Sequence, residues 1–157
     1  MSYYLGLGLG VGLMLFMLVL AVAIYVVNAL ATMKALKALG YDKSWMAWIP
    51  FANYYALADV ICKDKDSIRI VNSFDVPANL FKFWWVLLFV AAFIPKIGGL
   101  LSEAVLVLFL GTNFIKIFAL YDRKSESEEQ VLGYISGAFP IVAAIKFLVT
   151  NPAYIEK

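Results

Sequence analysis

Histidine is absent from this chain of 157 residues, which removes the commonest general base and the commonest metal ligand. A single cysteine, Cys62, excludes an internal disulfide framework and any multi-cysteine metal or cluster site. Charge is scarce as well: 15% of residues are charged, against about 25% in an ordinary soluble domain. A surface this poor in charge does not keep a globular domain dispersed. The formal net charge of +2 is too small for an electrostatic footprint on phosphate, so nucleic acid is excluded as a partner. What fills the space is apolar: 64% of the residues are hydrophobic and the mean hydropathy is +0.85. The class that remains is an integral membrane protein, with the lipid bilayer as its first partner.

Uncharged runs place the candidate spans. Residues 1–33 contain no ionisable acid or base, more than the ~20 residues a helix needs to cross a hydrocarbon core. Later uncharged runs, 44–58, 83–95, 104–115 and 130–145, are shorter. They reach across only where terminal lysines extend their stems toward the headgroups. Spans are therefore expected near 4–31, 80–95, 99–120 and 131–149, in one transmembrane domain covering 1–157 with a polar cytoplasmic loop at 62–80. The first run is read as an uncleaved anchor. A signal peptide opens on positive charge and has an apolar core of roughly 7–15 residues, whereas here no lysine or arginine precedes the run and Lys34 and Lys37 follow it.

Basic residues set the expected orientation. If 45–61 does not cross, Lys34, Lys37, Lys43, Lys63, Lys65, Arg69, Lys82, Lys116, Arg123 and Lys124 share one side, leaving Lys96, Lys146 and Lys157 on the other. Crossing by 45–61 would split them almost evenly. The asymmetry predicts four spans in the plasma membrane with both termini outside. Trp45, Trp48, Trp84, Trp85 and Tyr121 then fall at the inner interface, the depth amphipathic rings favour.

The segment 45–61 is apolar, aromatic and interrupted. Pro50 removes a backbone donor and disfavours a helical Ile49. Backbone groups freed in this way cannot face lipid. The segment is therefore either a re-entrant element docked on the bundle or an interfacial helix with proline in its first turn. Asn53 and Tyr54 stand where they can satisfy the freed groups, and Trp48 and Asp59 flank the break.

The stretch Lys37-Ala38-Leu39-Gly40, followed by Trp45-Met46-Ala47-Trp48-Ile49-Pro50-Phe51-Ala52-Asn53-Tyr54-Tyr55, resembles a family of small prokaryotic multi-pass membrane proteins of unknown function. The resemblance covers 20–149 and implies an architecture, not an activity. The chain departs from the family pattern in a long polar insert at 63–79 and in Lys96 after Phe93-Ile94-Pro95. There is also an internal echo. Ala38-Leu39-Gly40-Tyr41-Asp42-Lys43-Ser44 precedes Ile49-Pro50, and Ala119-Leu120-Tyr121-Asp122-Arg123-Lys124-Ser125 precedes Phe139-Pro140. Repeats with broken helices mark many transporter folds, although matches of this length also arise by chance.

Gly6, Gly8, Gly10 and Gly12 do not make a nucleotide loop, since G-x-G-x-x-G would need another spacing and a preceding strand. On a helix they form two small-xxx-small faces suited to close helix contact; the alternative is a loosely ordered helix end. Glu103, Lys116 and Lys146 are ionisable groups within apolar spans and mark either an ion or proton path or structural ion pairs. Their depth near span ends favours pairs. Four straight spans would bring Glu103 to Lys146, with Lys96 competing, and Lys116 near Asp122. Tyr41-Asp42 and Tyr121-Asp122 superficially match one element of membrane aspartyl proteases, but both acids fall outside the spans and the partner G-x-G-D motif is missing. Asp64-x-Asp66 lacks the glycine and terminal glutamate of a calcium loop.

An all-α polytopic membrane protein is thus expected, with four transmembrane helices and one proline-broken re-entrant or interfacial segment, no catalytic constellation and no cofactor or metal. The function expected first is a non-enzymatic subunit or scaffold that associates with other membrane subunits or with itself. The alternative is a small transporter or channel with its site at 45–61.

Overall fold

The uncharged first run folds as a single helix. In the computed structural model, which describes residues 2–70 and 73–153 with side chains from Gly10 onward, α1 is Ser2–Ala38. Its 37 residues rise roughly 55 Å at 1.5 Å each. From Gly10 to Tyr25 every residue is exposed, and burial begins only with Ala29, Ala31, Ala35 and Leu36. The helix stops in a Schellman cap. Gly40, at φ +72°, donates to the Lys37 carbonyl and Tyr41 to the Leu36 carbonyl, a geometry glycine adopts without steric cost.

A 3-10 turn, Ser44–Trp48, follows, and after the Ile49-Pro50-Phe51 break comes α2, Ala52–Cys62. Two strands lie within the polar stretch 62–80, so the fold is mostly helical rather than all-α. Strands β1, Ser67–Ile70, and β2, Phe74–Pro77, pair antiparallel, with Arg69 opposite Asp75. The Ser-Ile-Arg-Ile alternation explains β1, because Ile68 and Ile70 are buried while Ser67 and Arg69 face out.

The expected span at 80–95 is not a uniform α-helix. Helix α3, Ala78–Phe81, passes through tighter turns into α4, Val86–Ala92. Amides of Phe83, Val86, Leu87 and Leu88 each reach back three residues, the 3-10 spacing that lets a short run gain length. After a turn at Pro95 the chain runs through α5, Gly98–Val105, a π-helical stretch, Leu106–Leu110, and α6, Gly111–Asp122. These last three form one continuous helix. Two helices, Gly10–Ala38 and Gly98–Asp122, are long and apolar enough to cross a membrane.

The largest departure lies at 131–149, expected as one span. It is two helices: α7, Glu126–Ala138, and α8, Pro140–Val149. Helix α7 opens on a capping box in which Ser125 and Glu128 bond reciprocally, and it runs antiparallel to α6. At Phe139-Pro140 the chain doubles back, so α8 returns beside α6 to the end that α7 left. Proline at N1 starts α8 without a lost bond. The C-terminal ends of α1, α6 and α8 meet there. Lys34 Nζ donates to the carbonyls of Leu148 at 3.2 Å and Thr150 at 3.0 Å, and the Tyr121 hydroxyl to Thr150 at 3.1 Å. A cation over a helix C-terminus complements both its free carbonyls and its dipole.

Glycines make the close helix contact seen among the described residues. Gly10 and Gly12 have nothing within 4 Å of a notional Cβ, and the surroundings of Gly6 and Gly8 lie outside the described side chains. The close approach is Gly133-Tyr134-Ile135-Ser136-Gly137 on α7. A Cβ on Gly137 would sit 2.7 Å from the Gly111 nitrogen, and one on Gly133 2.8 Å from the Ile115 nitrogen. This small-xxx-small pair lets α7 lie directly on α6. Gly137→Ala is expected to lower unfolding stability by about 1–3 kcal/mol through overpacking against backbone, whereas Gly10→Ala and Gly12→Ala leave it unchanged; thermal unfolding in detergent measures both.

Candidate functional site

Two proline-broken hairpins carry the site. The first leaves the basic end of α1 at Ser44 and runs back along that helix, where the Tyr25 hydroxyl donates to the Trp48 carbonyl. At its tip the Ala52 amide donates to the Pro50 carbonyl at 2.8 Å across Phe51, which sits at φ +65° and ψ −36°. This is a classic-type γ-turn, a strained form that persists only where packing holds it. Phe51 is held by Trp85 and Phe89, with ring centroids 5.7 and 5.1 Å away. Helix α2 then returns to the basic end. There the Tyr41 hydroxyl donates to Asp59 Oδ2 at 3.0 Å, and Lys82 Nζ lies 2.7 Å from Asp59 Oδ1.

The second hairpin is α7–α8. Its returning arm is fastened by Lys146, whose Nζ lies 2.8 Å from Asp122 and 2.7 Å from Glu129, with Lys124 3.5 Å from the other oxygen of Glu129. The same ammonium stands 4.3 Å over the Phe118 ring. Phe147 packs among Phe114, Phe118 and Tyr121.

Both tips open on one cavity of about 610 Å³, within the range of small-molecule sites. Pro50 and Phe51 line it from the first hairpin and Pro140 from the second. Leu110, at the end of the π-helical stretch, and Phe114 of α6 form an apolar wall, and α1 supplies Tyr25, Asn28 and Thr32. Asn53 and Tyr54 of α2 complete the polar lining. Asn28 Nδ2 donates to the Ile24 carbonyl at 2.9 Å, while Asn53 Oδ1 accepts the Tyr54 amide at 2.7 Å. Among the described residues no charged side chain lines the cavity.

Of the residues marked by sequence, Pro50, Asn53 and Tyr54 thus come together at the cavity, and Trp48 supplies a carbonyl beside it. Asp59 lies elsewhere, in a second cleft of about 480 Å³ with Tyr41, Asp42 and Lys82. Burial and the neighbouring Asp59 hold the Tyr41 phenol well above its ordinary range. Lys146 pairs with Asp122 and Glu129, not with Glu103, because the reversal at Pro140 carries it to the opposite end from α5. Lys116 is buried and pairs with Glu126 at 2.7 Å, not with Asp122. Among the described residues no group of three histidine, cysteine or acidic side chains is placed to hold a metal.

Sequence reasoning missed the α1 side of the cavity, although a signal was present. Tyr25, Asn28 and Thr32 stand at i, i+3 and i+7, one face of a helix. Pro140 carried a second signal through its match to Pro50.

Replacing Lys146 by Met leaves the half-buried Asp122 and the buried Glu129 without their shared cation and is expected to cost about 3 kcal/mol; Glu103→Gln costs nothing measurable. Thermal unfolding of the two variants checks the pairing. Cys62 is buried and its thiol is pushed up to about 11 by burial, so a membrane-impermeant maleimide leaves it unlabelled from either face until the protein is unfolded.

No family model matches the chain, and no match was found among curated proteins or solved structures.

Proposed function

We propose that the chain is a small membrane transporter or channel that binds its solute where the two broken hairpins meet. One observation carries this reading: proline breaks 90 positions apart in sequence, at Pro50 and Pro140, open on the same cavity. Irregular backbone at membrane depth is tolerated where it is buried in protein or lines a wet cavity. Discontinuous helices meeting at a cavity are how many transporters build a site.

In this reading α1, residues 78–94 and residues 98–122 cross the bilayer, and the two hairpins enter and leave on the basic side. Lys146 then joins the other basic residues, and among the described residues Lys96 stands alone at the far end. That asymmetry favours a cytoplasmic basic end. Three crossings put the start of α1 outside and the end of α8 inside, in place of the expected four crossings. An added cysteine tests this in intact cells: Lys96→Cys reacts with an impermeant maleimide, whereas Asn151→Cys reacts only after permeabilisation. Labelling of Asn151→Cys in sealed cells would refute the arrangement.

Function is tested by reconstitution into liposomes with a panel of ions and small solutes. A flux that falls at least tenfold in Asn53→Ala supports the reading. Absence of flux for every solute, with the protein folded, overturns it.

A second reading, an association subunit, is favoured by α1, whose apolar residues from Val11 to Ile24 are unpartnered on every face. Crosslinking in native membranes separates the two, since an association subunit gives a defined adduct through α1 and no flux.

A further inference from the structure

We infer that the solute taken at this cavity is an uncharged molecule with hydrogen-bonding groups on one side and an apolar face on the other. The inference rests on the transport reading and adds the chemical class of what is carried.

A cation is disfavoured by what surrounds the cavity. Helices α2, eleven residues, and α8, ten residues, both begin at its edge. The positive ends of two helix dipoles therefore face it, with no carboxylate among the described lining residues to offset them. An anion is disfavoured for a different reason. Helix N-termini bind anions through free amides, and the amides at the start of α2 are already engaged. Ala52 donates to the Pro50 carbonyl, Asn53 to Ile49, Tyr54 to Asn53 Oδ1 and Tyr55 to Phe51. At the start of α8 Pro140 has no amide hydrogen, and the Val142 amide donates to the Phe139 carbonyl. No lysine or arginine among the described lining residues replaces them. An ion of either sign would be stripped of water without a counter-charge, which is costly.

Neutral hydrogen-bonding groups are what remain on the polar side. Among the described residues the hydroxyls of Thr32 and Tyr54 have no protein partner, and each can donate and accept. The Asn53 amide nitrogen is a further donor, since only its oxygen is engaged. Across the cavity Leu110, Phe114, Ala143 and Ala144 offer an apolar wall. An amide or hydroxyl on an apolar frame fits both sides.

Three probes of nearly equal size separate charge from shape: benzamide, benzoate and benzylammonium, each tested at pH 7 with the full chain in nanodiscs by saturation-transfer NMR. Benzamide is expected to bind, and its signal to fall at least fivefold in Thr32→Val and in Asn53→Ala; a retained thermal unfolding midpoint shows each variant is folded. Benzoate or benzylammonium binding as strongly as benzamide overturns the inference while leaving the cavity as a site. No binding of benzamide alongside Asn53-dependent flux also overturns it. Absence of both binding and flux overturns the inference together with the transport reading.

Discussion

The ammonium of Lys146 is the tie on which the arrangement depends. It joins the end of α6, through Asp122, to the first turns of α7, through Glu129, and it rides on α8. A lysine and two acids are costly to take out of water, and their attraction repays that cost only where geometry is good and further bonds complete it. Here Lys124 reaches the second oxygen of Glu129 and the Phe118 face covers the ammonium. Such a cluster adds little net stability against an apolar alternative, but it specifies one register. With Lys146 seated, α8 must lie antiparallel to α7, and Pro140 must then stand at a reversal rather than in a kinked span. The location of the cavity follows from that reversal.

The first hairpin meets a different demand. Its tip carries no ionic tie, so the backbone near the break must be satisfied locally. The Trp48 carbonyl is taken by Tyr25, the Pro50 carbonyl by the Ala52 amide, and the Tyr54 amide by Asn53. The strain at Phe51 is held by aromatic contacts with Trp85 and Phe89. Those two rings belong to the 78–94 run, so the tightening of that run to 3-10 turns and the shape of the hairpin tip are coupled through packing. A polar network at the tip also explains why the cavity has a polar side next to an apolar one.

Part of this was legible in sequence. Thirty-three uncharged residues read as a helix because nothing in them interrupts the pattern, and Pro50 in an aromatic run reads as a break because proline removes a donor wherever it stands. The reversal at Pro140 was not legible, and the reason is physical. A solvent-exposed hairpin tip announces itself with polar turn residues, whereas Gly137-Ala138-Phe139-Pro140 is apolar and reads as a continuing span. A continuing span would carry Lys146 to the end where Glu103 lies, and the reversal carries it to the other end, beside Asp122 and Glu129. The Gly133-x-x-x-Gly137 pair that seats α7 on α6 is a single small-xxx-small spacing inside an apolar run, and nothing in the letters sets it apart from the glycines of α1. Of the cavity, the α2 side was found from the proline and the α1 side was not, since three polar residues dispersed over eight positions weaken an apolar run only slightly.

The echo between the two halves gains weight from geometry rather than from letters. Each hairpin is preceded by a tyrosine and an aspartate at the basic end, Tyr41-Asp42 and Tyr121-Asp122. In both, the tyrosine hydroxyl crosses to the returning arm: Tyr41 reaches Asp59 near the end of α2, and Tyr121 reaches the Thr150 carbonyl just past α8. Each returning arm is also held by a lysine from elsewhere, Lys82 on Asp59 and Lys34 on the Leu148 and Thr150 carbonyls. The outgoing arms differ, a five-residue 3-10 turn in one and a thirteen-residue α-helix in the other. What the two elements share is therefore the anchoring of the way back. A returning arm that ends at the face where its hairpin began is free to swing away, and a phenol from the segment before the hairpin, bonded to that arm, resists the separation. The same residue type at the same place in two elements of unequal length is what that common mechanical demand would produce.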